Sequence, residues 1–188
     1  NAFAGYSESG KPNVSFHLGT NVAKYFVFND PSWDYSTYDL SNWRRDSHRM
    51  SLLTDASNTD LSRFRDAGGK LIIWHGWSDP LISDLATIEC YVEVEQTDPD
   101  VRNYCRLFLL PGVKHCGGGV GPDRVDWLQA IVSWVESKQS PDRLVARKLS
   151  DSDEELMSRP LFPYPVQAVY LGEGPTHKAA SFKAGVDQ

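Results

Sequence analysis

Two loops, each following a short apolar run, carry the residues of this chain best suited to moving protons. Leu71-Ile72-Ile73-Trp74 leads into His75-Gly76-Trp77-Ser78-Asp79-Pro80, and Arg106-Leu107-Phe108-Leu109-Leu110 leads into Pro111-Gly112-Val113-Lys114-His115-Cys116. A carboxylate beside an imidazole fixes the ring's tautomer and stabilises its protonated form, the orienting half of a nucleophilic triad. The 35 residues between Asp79 and His115 suffice for one crossover helix and one return strand. If the two runs are neighbouring parallel strands, Asp79 and His115 project from adjacent loops at one end of a sheet, where open α/β folds gather their functional groups. Taken singly, Asp79 reads as a turn residue before Pro80 and His115 as a loop histidine; their joint placement makes them a site. His75, Asp79, His115 and Cys116 lack the tight spacing of metal ligands. Gly117-Gly118-Gly119 could cradle a phosphate ahead of a helix, but no Lys-Ser/Thr follows, and a tightly turning histidine loop accounts for the glycines better.

The elements that must hold these loops are legible in part. Residues 71–75, which follow Gly68-Gly69 and Lys70, read as a strand buried on both faces. Leu85, Ile88, Tyr91 and Val92 are spaced for a helix over 84–96, stopped by Asp98-Pro99-Asp100, and 106–110 is a second buried strand. A helix is expected over 122–138, with Pro122 in its first turn, Asp123 at its positive end and Lys138 at its exit. Its Val125, Leu128, Val132 and Val135, with Trp127, Ile131 and Trp134, cover more than half the circumference, which predicts packing on two sides. This strand–helix–strand–helix order is a βαβα unit with a parallel pair. Two parallel strands need further neighbours, so the pair is expected to belong to a larger sheet. Residues 1–60 show no sustained period; a short helix near 20–28, turns over 29–35 and another short helix at 59–67 are the expectations there. Residues 139–188 are rich in Pro and Gly, with one strand expected at 167–171.

Composition excludes several classes. Of 188 residues 40% are hydrophobic and 23% charged, the balance of a folded globular protein rather than a disordered one. No apolar run reaches the roughly 18–20 residues of a membrane-spanning helix, so no membrane partner is expected. A net charge of -6 is wrong for a protein that grips nucleic-acid phosphates. Three cysteines leave at least one thiol unpaired within the chain; Cys90 and Cys105 either bridge or are two buried thiols. Asn13-Val14-Ser15 is a glycosylation sequon, meaningful only in a eukaryotic secretory host. The first residues contain neither a basic n-region nor an apolar h-region. The near-match to a nucleophile elbow, Gly5-Tyr6-Ser7-Glu8-Ser9-Gly10, lacks the second glycine where it is needed and has no strand before it, so Ser7 is not read as a nucleophile.

HGWSDPLI after one apolar strand and RLFLLPGVKHCGGGVGP after the next, with DPSWDY upstream and RPLFPYP downstream, resemble the tannase and feruloyl esterase family of α/β-hydrolases from about residue 20 to 182. The HG-x-x-D loop alone is shared by many serine hydrolases; the His followed directly by Cys and a glycine run is the specific cue. The resemblance implies the C-terminal portion of an α/β-hydrolase fold, parallel strands with crossover helices, with residues 1–65 ending a lid domain and 66–188 belonging to the catalytic domain. It further implies a serine carboxylesterase acting on small aromatic (phenolic) acid esters such as gallates and ferulates, or a terephthalate half-ester. Asp79 is then the triad acid, His115 the general base, and Cys116 one half of a disulfide to the segment that carries the Ser. That segment, or a separate chain of the same enzyme, is expected to lie upstream of these residues. Trp77, beside Asp79, is a candidate wall of the substrate pocket. The resemblance implies that no cofactor is required and that a structural calcium belongs to lid residues outside this chain; no D-x-D-x-D-G run occurs in this sequence. Secreted or periplasmic localisation follows from the implied disulfide. The family's second bridge has Phe162 and Lys183 at its two positions, so both halves are missing together. A noncatalytic remnant that binds phenolics or a protein partner, and an oligopeptidase-type hydrolase, are the alternatives; Cys116 speaks against the latter.

Overall fold

The computed structural model describes residues 14–185, which fall into two compact units dividing between Asn58 and Thr59. Ser7 and Asn13 lie outside the described residues. In the first unit α1 (Val14–Asn21) continues into a π-helical turn over Val22–Val27, so the helix expected at 20–28 begins earlier. Short aspartates then fold the chain back on itself: Asp30, Asp34 and Asp39 each accept a hydrogen bond from the serine amide two residues on, at 2.8–2.9 Å, the local alternative to helix that this side chain favours. The rings of Phe28, Trp33 and Tyr38 close a mutual cluster with centroids 5.3–5.4 Å apart. Helix α2 (Trp43–Thr54) was not expected. Its sequence WRRDSHRMSLLT has no apolar stripe and none of its residues is buried, so periodicity could not reveal it.

The second unit opens with α3 (Ser62–Asp66), ended by Gly68 in the left-handed region at φ 77°. Then come β1 (Leu71–Gly76), α4 (Asp84–Thr97) and β2 (Cys105–Leu110). The two strands are parallel, in register from Leu71 opposite Cys105 to Gly76 opposite Leu110. Alternation of side chains divides the core in two. Leu71, Ile73, Cys105 and Leu107 face α4 with Tyr91, Val94, Val101 and Tyr104. Ile72, Trp74, Phe108 and Leu110 face the opposite side with Val113, Trp127, Ala146 and Leu161, where the Trp74 and Trp127 rings stack at 5.8 Å.

Four expectations are corrected. Strand β1 is half-buried along Leu71–His75, not buried on both faces, because β2 is its one partner among the described residues. Helix α5 spans Trp127–Ser137 and omits 122–126. The Arg124 backbone instead pairs with Arg147 in both directions at 2.8–2.9 Å, and Asp126 caps the helix by accepting from the Gln129 amide. The same helix is covered on one side, with Ala130 and Trp134 inside while Leu128 and Val135 are exposed. Finally, residues 139–185 hold four strands rather than one: the antiparallel hairpins β3 (Leu144–Leu149) with β4 (Glu155–Leu161) and β5 (Gln167–Tyr170) with β6 (Phe182–Gly185). Pro160 lies within β4, where in a two-stranded sheet every strand is an edge and a missing N–H is tolerated. The RPLFPYP stretch ends β4 and returns to the parallel pair, where the Tyr164 amide donates to the Leu107 carbonyl at 2.8 Å and its ring meets Tyr91 edge-on.

Leu107 is fully buried between β1, α4 and the chain after β4. Leu107→Ala is expected to lower unfolding free energy by about 2–5 kcal/mol in urea denaturation; a loss near zero would show that this side chain lies outside the close-packed core.

Candidate active site

Parallel pairing makes the two loops leave the sheet side by side. Beyond Gly76 the ladder extends to Trp77, whose amide donates to Leu110 O at 2.9 Å, and the Ser78 amide donates to Val113 O at 2.9 Å. The chain then turns, the Asp79 amide reaching Gly76 O at 3.0 Å. A Cβ at position 76 would lie 2.5 Å from both Val113 O and Lys114 O, so only glycine lets this loop lie flat against the histidine loop. On the other side, Val113 bridges to Gly119, the Gly121 amide donates to Gly112 O at 2.9 Å, and the Gly118 amide donates to the Asp123 carboxylate at 2.7 Å. The glycine run therefore folds the histidine loop back onto itself, and the amides of Gly117 and Gly118 are spent inside the turn rather than aimed at a phosphate.

At the junction, Asp79 Oδ2 accepts from His115 Nδ1 at 2.8 Å. Asp79 Oδ1 accepts from the amides of Leu81 and Ile82 at 2.8 and 3.1 Å. Burial by itself would raise the Asp79 carboxyl, its side chain being 5% exposed, but the His115 ring and the two amides outweigh it and hold the group at about 2, below its ordinary 3.8. It is thus a fixed, ionised acceptor that keeps the proton of neutral His115 on Nδ1 and leaves Nε2 as the basic edge. The His115 side chain is 39% exposed, and Nε2 makes no hydrogen bond among the described residues. A half-open imidazole backed by a buried, ionised acid can accept and return a proton at the surface of the loop.

Both residues singled out for catalysis are therefore brought together. Trp77 lies on the Asp79 loop, 45% exposed. Cys116, next to His115, is exposed with a left-handed φ of 60°. Cys90 and Cys105 are free thiols, and burial followed by the neighbouring Cys90 pushes the Cys105 thiol up to about 12, which makes it unreactive. Among the described residues no group of three or more His, Cys, Asp or Glu is arranged to hold a metal ion. Sequence reasoning missed the amides of Leu81 and Ile82 and the contact of Thr87 with His75, 2.7 Å from Oγ1 to Nδ1; no motif marks a helix hydroxyl facing a strand.

The family model for tannase and feruloyl esterase matches residues 7–185. The chain belongs to that family. A probable feruloyl esterase of Arthroderma benhamiae is 34% identical over 191 residues, covering 96% of this chain and 35% of the relative. The mono(2-hydroxyethyl) terephthalate hydrolase of Piscinibacter sakaiensis is 42% identical over 129 residues, 68% of this chain and 21% of the relative. Among solved structures, feruloyl esterase B from Aspergillus oryzae superposes with a TM-score of 0.85 at 26% identity, covering 98% of this chain and 39% of that one. The tannase-family chain thus shares the fold of a solved esterase over its length and spans about a third of the length of such relatives. No helix of the described residues is long and apolar enough to cross a membrane.

Two outcomes test this geometry. Gly76→Ala must displace backbone, so the downfield NMR signal of the His115 Nδ1 proton is expected to disappear; its persistence would show that the loops do not depend on that approach. Because the folded-state value for Asp79 is depressed, its contribution to stability is present above about pH 4 and is lost as pH falls through about 2. The stability gap between wild type and Asp79→Asn in denaturant titrations should therefore narrow from pH 5 to pH 2, and a constant gap would contradict the depressed value.

Proposed function

We propose that this chain supplies the acid and base of a Ser-His-Asp triad in a carboxylic ester hydrolase acting on esters of aromatic acids. The observation that carries the reading is the 2.8 Å Asp79–His115 pair at the tip of the parallel strands, inside the stretch matched by the family. The serine belongs to a segment outside these residues, as the threefold greater length of the relatives supports. Residues 66–188 are then the C-terminal part of an α/β-hydrolase domain and residues 1–65 the end of its lid. The feruloyl esterase and terephthalate half-ester hydrolase among the relatives support aromatic acid esters as substrates, and half-exposed Trp77 offers such a ring a wall.

In this reading the serine hydroxyl attacks the ester carbonyl while His115 Nε2 takes its proton; Asp79 stabilises the imidazolium without being protonated. His115 then protonates the departing alcohol, and the same groups activate water to release the aromatic acid. These steps need no cofactor, and the family's calcium belongs to lid residues other than these. Cys116 follows His115 directly and faces solvent, where a disulfide to the serine segment would tie base and nucleophile together. Such a bridge calls for an oxidising compartment, secreted or periplasmic.

In the full-length protein, Asp79→Asn and His115→Ala are each expected to lower kcat on methyl ferulate or methyl gallate by several powers of ten, and His115→Ala to abolish labelling by a fluorophosphonate. Near-normal turnover in either variant removes the assignment; absence of labelling in the unaltered protein favours a noncatalytic binding role. Non-reducing peptide mapping is expected to recover Cys116 joined to the serine-bearing peptide, and a free thiol there in the native protein would exclude the tether.

A further inference from the structure

His75 is one residue from the end of β1, on the face that carries Leu71 and Ile73 towards α4. Its side chain is 10% exposed. Nδ1 lies 2.7 Å from the Thr87 hydroxyl on α4. The other ring nitrogen, Nε2, is buried without a hydrogen bond and stands 3.3 Å from Asp79 Oδ2, the oxygen that also accepts from His115. The Asp79 carboxylate therefore sits between two imidazoles, of which the triad uses one.

Only one neutral tautomer of His75 suits these surroundings. With its proton on Nδ1 it would donate to Thr87 and present a buried lone pair to the charged Asp79 oxygen, a repulsive arrangement. With its proton on Nε2, Thr87 donates to Nδ1 and the N–H dipole faces the carboxylate, an attraction strengthened by the low local dielectric. A small tilt of the ring turns this contact into a hydrogen bond, as catalytic contacts tighten when substrate binds.

We propose that His75 is a positioning residue: Thr87 sets its tautomer, and its Nε2–H holds Asp79 Oδ2 in place for His115. The inference rests on Asp79 and His115 forming the triad pair. A second donor on Oδ2 also draws off negative charge that would otherwise stabilise protonated His115. The other charged groups on the surrounding elements are Asp84, Glu89, Glu93 and Glu95 on α4, Arg106 on β2, Lys114 on the histidine loop and Asp123 behind the glycine run. Asp84 accepts from the Leu85 amide, Asp123 from the Gly118 amide and Glu95 from Arg102, while Arg106 donates to Asp142, and among the described residues none of these groups pairs with this cluster.

The test is the pH dependence of kcat/KM in the full-length protein for wild type, His75→Phe, His75→Gln and Thr87→Val, with the His115 titration midpoint followed by NMR of the labelled imidazole. In His75→Phe and Thr87→Val the acid limb and the NMR midpoint are expected to move up by on the order of 0.5 pH unit, with kcat several-fold lower. His75→Gln, which keeps an N–H donor near the same place, is expected to restore both. Unchanged midpoints in all variants, or equal shifts for Phe and Gln, overturn the proposal. Thr87→Val covers the case in which His75→Phe fails to fold. If the wild type does not turn over ester, the triad reading fails, while the NMR midpoints still decide whether His75 acts on the Asp79–His115 pair.

Discussion

The site depends on the parallel register of β1 and β2. Gly76 opposite Leu110 ends both strands at the same height, and the hydrogen bonds from Trp77 to Leu110 and from Ser78 to Val113 carry the pairing one step beyond the sheet. A shift of one residue would turn His75 to the other face and carry Asp79 away from His115. The carboxylate can be buried at that point because it arrives with its partners: two amides of its own turn occupy one oxygen and an imidazole the other. An ionised carboxylate so shielded from water would otherwise be untenable.

The supporting shell is built from backbone rather than from charge. Gly76 allows direct contact of the two loops, the glycine run folds the histidine loop onto itself, and Lys148 clamps its far side by donating to Gly119 O at 2.8 Å. The RPLFPYP stretch acts from below. By bonding Leu107 O and packing Tyr164 on Tyr91, it secures the outer edge of β2 and the helix that carries Thr87. The two members of the pair are thus exposed differently: Asp79 is enclosed, and the His115 ring reaches outward.

The unit over 14–58 is organised differently, by aspartate-capped turns and a cluster of aromatic rings, with Ala23 its one buried residue among those described. DPSWDY acquires a structural meaning there. Asp30 and Asp34 set the turns on either side of Trp33, whose ring stacks on Phe28 at 5.4 Å. Exposed Leu128 and Val135 on α5, and the half-buried β1, are surfaces whose apolar pattern exceeds the cover that these residues provide.

Sequence alone determined the βαβ unit, because short apolar runs bounded by Gly and Pro and a helix with three- and four-residue spacing are local signals. The adjacency of Asp79 and His115 followed from the crossover length and the rule for strand tips. It did not determine α2, whose residues bury nothing, or β3, β4 and β6, whose pairing lies between segments that carry no period of their own. The start of α5 was misplaced because a long-range backbone bridge from Arg124 to Arg147 overrode the local signals of Pro122 and Asp123. Tertiary structure decided the finer chemistry: which oxygen of Asp79 each donor takes, and that His75 turns a buried nitrogen towards it. Those are matters of distance and direction between residues far apart in the chain, and residue types in a row do not encode them.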